Sequence, residues 1–422
     1  MSQAEREIER CNRCGYCQAA CPAYAVTRSE LSAPRAHVMQ MRLLADGEAE
    51  PSAEMLQALG ECMLCRACAD ECPAQVVTPE VVVAAREAAL RHRGQPRLLD
   101  YVFRNLLHDP RKLAAYARPA FAAQRVGLGG AARALKRLPG VPPGLAAAPD
   151  FLPQPPRRFL RDRLAGIPLV GAGGGQLIYF AGCAINLTLP EVGEATLRVL
   201  ARLGWEIAAP ENACCGLPPY AYGDVEAARR LARRNLDLLD PLPGDFIVTD
   251  CASCSSFLKE YPQLLADDET YRERAERAAA RVRDLTEVLA DADLPQTTPL
   301  RGAVTYHDPC HLSRYQGIRA QPRAVLQSLE GLDFRELEEA DRCCGGAGTY
   351  GLTHYEVSMK ILERKIGCVE RTGAQVLATA CPSCQMQLGY GLRRAGSSVR
   401  IRHLVELVAE AMGLSEAAEP AR

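Results

Sequence analysis

Cys11-Asn-Arg-Cys14-Gly-Tyr-Cys17-Gln-Ala-Ala-Cys21-Pro22 and Cys62-Met-Leu-Cys65-Arg-Ala-Cys68-Ala-Asp-Glu-Cys72-Pro73 are two copies of one pattern, C-x2-C-x2-C-x3-C-P. Their reading decides the N-terminal fold, and they hold eight of the 19 cysteines of this 422-residue chain. A short turn with a cysteine at every third residue can aim three thiolates at one point, and the proline then turns the chain away. C-x2-C pairs also build zinc ribbons, but two complete four-cysteine runs, each closed by its proline, speak against zinc. An odd number of cysteines fits a pure disulfide framework badly. The first ten residues are charged and lack an apolar signal core, so the chain is expected in the cytoplasm, where clustered thiols hold metal or do redox chemistry.

The pattern resembles the run of bacterial two-cluster ferredoxins. That resemblance implies two [4Fe–4S] clusters with exchanged fourth ligands: Cys11, Cys14 and Cys17 with Cys72, and Cys62, Cys65 and Cys68 with Cys21. Forty residues lie between Cys21 and Cys62, more than a minimal ferredoxin hairpin needs. The spacing predicts helices over Arg35–Ala45, over Met55–Leu59 and from Pro79 through Arg91, with proline at a helix start. The N-terminal unit therefore reads as an α-helical ferredoxin domain with a helical extension, residues 1–138. A run of prolines and glycines from Pro139 to Pro156 reads as a linker, 139–160.

Beyond it the chain repeats itself. One copy carries Cys183, then Cys214-Cys215-Gly216, then Cys251-Ala-Ser-Cys254; the other carries Cys310, Cys343-Cys344-Gly345 and Cys381-Pro-Ser-Cys384. The gaps are 30 and 35 residues in the first copy and 32 and 36 in the second, and the offset drifts only from 127 to 130. Leu177–Phe180 and Val304–Tyr306 read as strands leading to the first cysteine of each copy; Phe246–Thr249 and Gln375–Thr379 read as strands running into each C-x2-C. Helices over Val225–Leu236 and Val357–Ile366 follow the cysteine pairs. Alternating strands and helices imply two tandem α/β domains with parallel sheets, 161–298 and 299–412, and a flexible tail at 413–422. Each C-x2-C then lies at a strand's C-terminal end, where helix starts at Ser255–Leu258 and Gln385–Leu388 favour anionic groups. Glycines beside the pairs (Gly216, Gly345, Gly346, Gly348) let a bulky group approach the backbone. Vicinal disulfides, thioredoxin-like dithiols and decay of the first copy are weaker readings, because none uses all five cysteines of each copy.

Fifty Lys and Arg against 51 Asp and Glu leave a net charge of -1, so nothing favours binding to nucleic acid. Ile167 to Pro190 has no charged residue, but its glycines interrupt any helix, and no transmembrane segment is expected. The Gly-rich Gly171–Gly175 precedes a strand and so is no nucleotide loop. Cys368 belongs to neither pattern and is expected after a helix, in the packing. His307 and His311 flank Cys310; tuning of a cluster, proton carriage and a structural role all remain open. No P-loop, Ser/His/Asp set, H-E-x-x-H motif or FAD site is found, and no catalytic residue is named.

The Cys-Cys-Gly and C-x2-C sets resemble the cysteine-rich "CCG" domain of heterodisulfide reductase subunits and of iron–sulfur subunits of flavin-dependent 2-hydroxy-acid dehydrogenases. Residues 8 to about 410, with Tyr306-His-Asp-Pro-Cys310 and Cys343-Cys-Gly-Gly-Ala-Gly-Thr-Tyr-Gly-Leu-Thr-His354 especially similar, resemble iron–sulfur subunits of glycolate oxidase and D-lactate dehydrogenase type. The resemblance implies an electron-transfer subunit, with FAD on a partner dehydrogenase subunit, where glycolate or lactate is oxidised, and a quinone or soluble carrier as acceptor. It also implies one or two further [4Fe–4S] clusters, cubane or non-cubane, held by Cys183, Cys214, Cys215, Cys251 and Cys254 and by Cys310, Cys343, Cys344, Cys381 and Cys384. A place in the cytoplasm, or on the inner face of the cell membrane through partners, follows. Complete five-cysteine sets in both copies keep a second reading alive, a heterodisulfide reductase-like subunit that reduces a disulfide at a CCG-domain cluster.

Overall fold

The structure is a computed structural model that describes residues 3–125, 141–151, 154–171, 173 and 175–414. The N-terminal part is helical, with the two cysteine runs held by helices Gln3–Arg10, Pro34–Ala45, Ala53–Gly60 and Thr78–Arg93. Pro34 and Pro79 stand in the first turns of their helices, where a missing N–H costs nothing. Buried Val81, Val82, Val83 and Ala85 of the Thr78–Arg93 helix pack toward Val38, Leu59 and Leu64. The helical extension continues through Pro110–Arg125; its expected end, 126–138, lies outside the described residues.

The rest forms two four-stranded, wholly parallel sheets of the same strand order. The first runs β2-β1-β3-β4, with β1 Gln176–Tyr179, β2 Glu206–Ala208, β3 Phe246–Thr249 and β4 Val282–Asp284. The second runs β6-β5-β7-β8, with β5 Gly302–Tyr306, β6 Leu332–Phe334, β7 Val376–Thr379 and β8 Arg400–His403. The central strands are apolar and buried, as parallel strands covered on both faces must be. In each sheet the chain leaves the first strand for one edge and returns to the other side, so the switch point lies between β1 and β3, and again between β5 and β7. Two tandem α/β domains related by duplication are thus present.

Several local expectations change. The helix that begins after the second cysteine pair runs from Tyr355 to Arg371 and carries the buried Cys368 within it. The helices at the C-x2-C motifs start directly after the first cysteine, over Ala252–Lys259 and Pro382–Ala395. The stretch read as a linker contains a helix, Pro143–Phe151, whose Phe151 stacks on Tyr390 at 4.1 Å between ring centroids. Gly144 is there for closeness: a Cβ would lie 1.7 Å from the Leu352 carbonyl oxygen. The expected tail, from residue 415 on, lies outside the described residues.

The helical part and both α/β domains pack together. The half-buried Arg86 donates to the carbonyls of Leu59, Cys62 and Ala221 at 2.6, 2.7 and 2.6 Å. Arg66 pairs with Glu80 and Glu260 and lies 3.9 Å from the centroid of the Tyr315 ring, whose hydroxyl donates to the Leu64 carbonyl. Gly223, at φ 87°, lies so close that a Cβ would meet backbone atoms of Arg86 and Glu87 at 2.6 and 2.7 Å. Gly47, at φ 70°, has open space around it. Gly47→Ala should therefore cost only left-handed strain, about 1–2 kcal/mol, and Gly223→Ala about 1–3 kcal/mol more through overpacking. Thermal unfolding of the two variants checks this; equal melting temperatures would contradict the close approach.

Candidate iron–sulfur sites

Four groups of cysteines are assembled. Cys11, Cys14 and Cys17 line one cavity together with Cys72, and Cys62, Cys65 and Cys68 line a second together with Cys21. The runs are thus interleaved, each sending its last cysteine to the other. The two loops repeat even their strained positions. Arg13 and Leu64 are left-handed at φ 57° and 53°, two residues after the first cysteine, as are Gly15 and Arg66 at φ 87° and 59°, four residues after it. Left-handed non-glycine residues cost of order 1–3 kcal/mol each; recurring at matching positions, they mark loops shaped for their contents. Cys21 and Cys72 also accept backbone N–H groups, from Tyr24 at 3.5 Å and Val76 at 3.4 Å.

In each α/β domain the three cysteine segments follow the C-terminal ends of three successive strands. Cys183 follows β1, the Cys214-Cys215 pair follows β2, and Cys251 and Cys254 follow β3. Cys310, the Cys343-Cys344 pair, and Cys381 with Cys384 repeat this after β5, β6 and β7. Parallel strands put these ends on one edge at the switch point, so the 67 residues of sequence between Cys183 and Cys251 close to one place. The Sγ atoms of Cys183 and Cys214 lie 4.0 Å apart. The thiols of Cys215 and Cys254, Cys310 and Cys343, and Cys344 and Cys384 interact as well.

The electrostatics explain why these groups call for a cation. Burial pushes the Cys21 thiol up to about 12. Desolvation raises Cys68 well above the ordinary thiol range, and thiol neighbours together with burial raise Cys183, Cys254 and Cys384 likewise. The exceptions are acceptors of hydrogen bonds from neighbouring thiols: Cys215 from Cys214 and Cys254, Cys344 from Cys343 and Cys384, and Cys381 from Cys251 and Cys384. Thiolates crowded in a dry site repel one another, and iron or another soft cation removes that penalty.

The residues also fit a bulky inorganic group. A Cβ on Gly182 would lie 3.3 Å from Cys254 Sγ, and one on Gly346 3.5 Å from Cys344 Sγ. His307 is buried, neither of its ring nitrogens has a partner, and a ring nitrogen lies within 4.8 Å of the sulfurs of Cys344 and Cys384. Burial pushes that imidazole down to about 3. His311 differs: its Nδ1 is paired with Ser256 Oγ at 3.2 Å and its ring stacks on Tyr315, so it joins the two domains. Cys368 stays outside the groups, beside Arg371 at 3.2 Å.

Three of the groups adjoin one another. Cys65 and Cys343 lie in one buried cluster and their thiols interact, and Cys343 Sγ lies 4.0 Å from Met63 Sδ. Across the two domains the first cysteines of the C-x2-C motifs meet, Cys251 with Cys381, with Ser253 Oγ 3.5 Å from Cys381 Sγ. The Ala252 N–H donates to the Ala380 carbonyl at 3.2 Å, and His403 Nε2 lies 3.0 Å from the Asp250 carbonyl oxygen. The second α/β domain therefore stands between the helical part's second cysteine group and the first α/β domain's group. Sequence spacing could not show these junctions, since they join elements distant in the chain.

Comparison with known proteins agrees with this arrangement. Residues 7–76 match the 4Fe-4S dicluster domain family, and 177–259 and 304–389 match the cysteine-rich domain family CCG. A probable glycolate oxidase iron-sulfur subunit of Bacillus subtilis (strain 168) is 33% identical over 97% of this chain and 95% of its own length. This chain belongs to that family. Lactate utilization protein A of an Exiguobacterium species is 33% identical over 55% of this chain and 96% of its own length. A solved structure, a hypothetical protein from Helicobacter pylori, shares the fold at a TM-score of 0.54 with 11% identity, over 99% of this chain and 74% of that one. Among the described residues no helix of this chain is long and apolar enough to cross a membrane.

Exchanged ligation has a direct test. In anaerobically prepared protein, Cys72→Ala should remove the same electron paramagnetic resonance (EPR) signal as Cys14→Ala, and Cys21→Ala the same one as Cys65→Ala, each with loss of about four irons. Pairing of Cys21→Ala with Cys14→Ala instead would contradict the exchange.

Proposed function

We propose that the chain passes electrons, one at a time, between a partner flavoprotein that oxidises a 2-hydroxy acid and a quinone or other acceptor. The observation that carries this is the unbroken contact of cysteine groups, from Cys21, Cys62, Cys65 and Cys68 through Cys343 to Cys381 and on to Cys251. Bound in the two ferredoxin-type cavities and the CCG groups, [4Fe–4S] clusters would supply one-electron redox chemistry, whereas a flavin gives up electrons in pairs. Ligands of the ferredoxin-type clusters are Cys11, Cys14, Cys17 and Cys72, and Cys62, Cys65, Cys68 and Cys21. The five-cysteine sets hold the further clusters.

What the chain's own residues contribute is spacing and dryness. Met63, Cys65 and Cys343 are buried together with Tyr350 and Ile361, which keeps water out of the junction. Arg86 fixes the Cys62 backbone from behind. Cys14 is the one ligand of the ferredoxin runs that is exposed, with Tyr16 beside it 69% exposed, which favours that end for docking a redox partner. At the other cavity a cleft of about 360 Å³, lined by Cys62 and mostly apolar side chains such as Leu56, Leu59 and Leu90, offers a small acceptor an approach. Burial of Cys251, Cys254, Cys381 and Cys384 favours electron transfer over reduction of a disulfide at these sulfurs. The names of the relatives favour glycolate or lactate as the acid, and the partner as the place of its oxidation. Domain limits at 1–138, 161–298 and 299–412 suit this division of labour.

Reconstitution with an FAD-containing 2-hydroxy-acid dehydrogenase subunit tests this reading. Glycolate or lactate should reduce the iron–sulfur signals of this chain within the turnover time of the complex, and only with the flavin subunit present. Reduction of disulfides by the isolated, pre-reduced chain, with no response to either acid, would favour the disulfide reductase instead.

A further inference from the structure

The two α/β domains share cysteines, strand order and offsets, but the side chains around the cysteines differ in sign. Tyr179 and Tyr306 close equivalent strands, so Phe180 of the first domain corresponds to His307 of the second. His307 is 1% exposed, with both nitrogens unpartnered and one within 4.8 Å of the Cys344 and Cys384 sulfurs. Lys365 lies 130 residues after Asn235, the offset that also relates Cys384 to Cys254. Asn235 bonds the backbone of Ala213 and Cys214. Lys365, buried to 1% exposure, donates to the Glu339 and Ala340 carbonyls, and its charge is felt by Cys344 and Cys343.

The opposite substitution occurs on the other strand of each switch point. Thr249 and Thr379 end equivalent strands, so the buried Asp250 of the first domain stands where the second has Ala380. Asp250 Oδ2 accepts from the Tyr179 and Thr196 hydroxyls at 2.7 and 2.8 Å, and its Oδ1 has no partner. Likewise Asp284, which caps the helix after β4, has His403 as its counterpart after β8. The remaining charges do not reverse the contrast. Arg161, near Cys183, bonds Asn212 and is half-buried. Asp308 beside the second site is neutralised by Arg323, and Arg314 near Cys310 is neutralised by Asp70 and Asp341.

Resting on the electron-transfer reading above, we infer that the two CCG sites are poised unequally: the second, held by Cys310, Cys343, Cys344, Cys381 and Cys384, is reduced at the higher potential. Reduction adds negative charge to the site. An N–H donor from His307 and the Lys365 cation stabilise that charge, whereas Asp250 opposes it in the first domain. The higher-potential site is also the junction, in contact with Cys65 on one side and Cys251 on the other. The first electron of a pair released by 2-hydroxy-acid oxidation on the partner therefore rests there. The ferredoxin-type site before it is left oxidised and ready for the second electron.

Potentiometric EPR titration of the full chain, prepared anaerobically with its iron and sulfide, tests the inference. Cys384→Ala and Cys254→Ala assign signals to the second and first CCG sites. The second site should be reduced first, and His307→Phe, which installs the residue of the first domain, should cut its reduction equilibrium tenfold or more, about 59 mV for a one-electron couple. Phe180→His should move the first site the other way, and unchanged iron and sulfide contents certify both variants. Titration of the two sites together, a first site above the second, a single CCG signal, or indifference to both substitutions would overturn the inference. Reduction of the chain by hydroxy acid and flavin subunit in those cases would leave the electron-transfer reading standing; a chain without sulfide would remove both.

Discussion

Thiols gathered in groups, with no disulfides among them, are the constraint on which this structure turns. Eighteen of the 19 cysteines stand in four such groups, and in the two CCG groups burial and neighbouring thiols oppose the ionisation of several at once. Every larger feature serves that convergence. Interleaved runs bring a cysteine from at least 41 residues away to each ferredoxin-type cavity, and parallel sheets bring three strand ends to each CCG site. Metal binding and folding are then one process, since the groups have little reason to assemble empty.

Packing between the parts turns four sites into a conduit. Arg86, Arg66 and Tyr315 fasten the helical part to both α/β domains through backbone carbonyls and buried ion pairs. Arg66, between Glu80 and Glu260, keeps two half-buried carboxylates in place where desolvation raises Glu260 to about 7. These ties lie beside Leu64 and Cys62, so fixing the interface also fixes the distance between Cys65 and Cys343. Electron transfer depends steeply on such distances, which gives the rigid, apolar junction its use.

Much of this was legible in the cysteines because their chemistry dictates spacing. A motif that must converge on iron leaves little freedom, and the offsets of 127 to 130 residues exposed the duplication. The central strands were readable for the same reason that they are central: Leu177-Ile-Tyr and Phe246-Ile-Val are apolar runs. The edge strands were not. Val282-Arg-Asp and Arg400-Ile-Arg-His are short and charged, as edges that must not pair with other chains tend to be. The proline- and glycine-rich stretch misled differently, since Pro143 starts a helix there and Gly144 admits the Leu352 backbone. The sequence places His307 near Cys310, but its isolation in the core and its contrast with Phe180 need three dimensions.

Analysis of metal and acid-labile sulfide in the anaerobically purified chain bears most directly on the central claim. Iron and sulfide in equal amounts are expected, about four of each per cluster and three or four clusters per chain. Zinc bound to the same cysteines, with no sulfide, would contradict an electron-transfer role altogether.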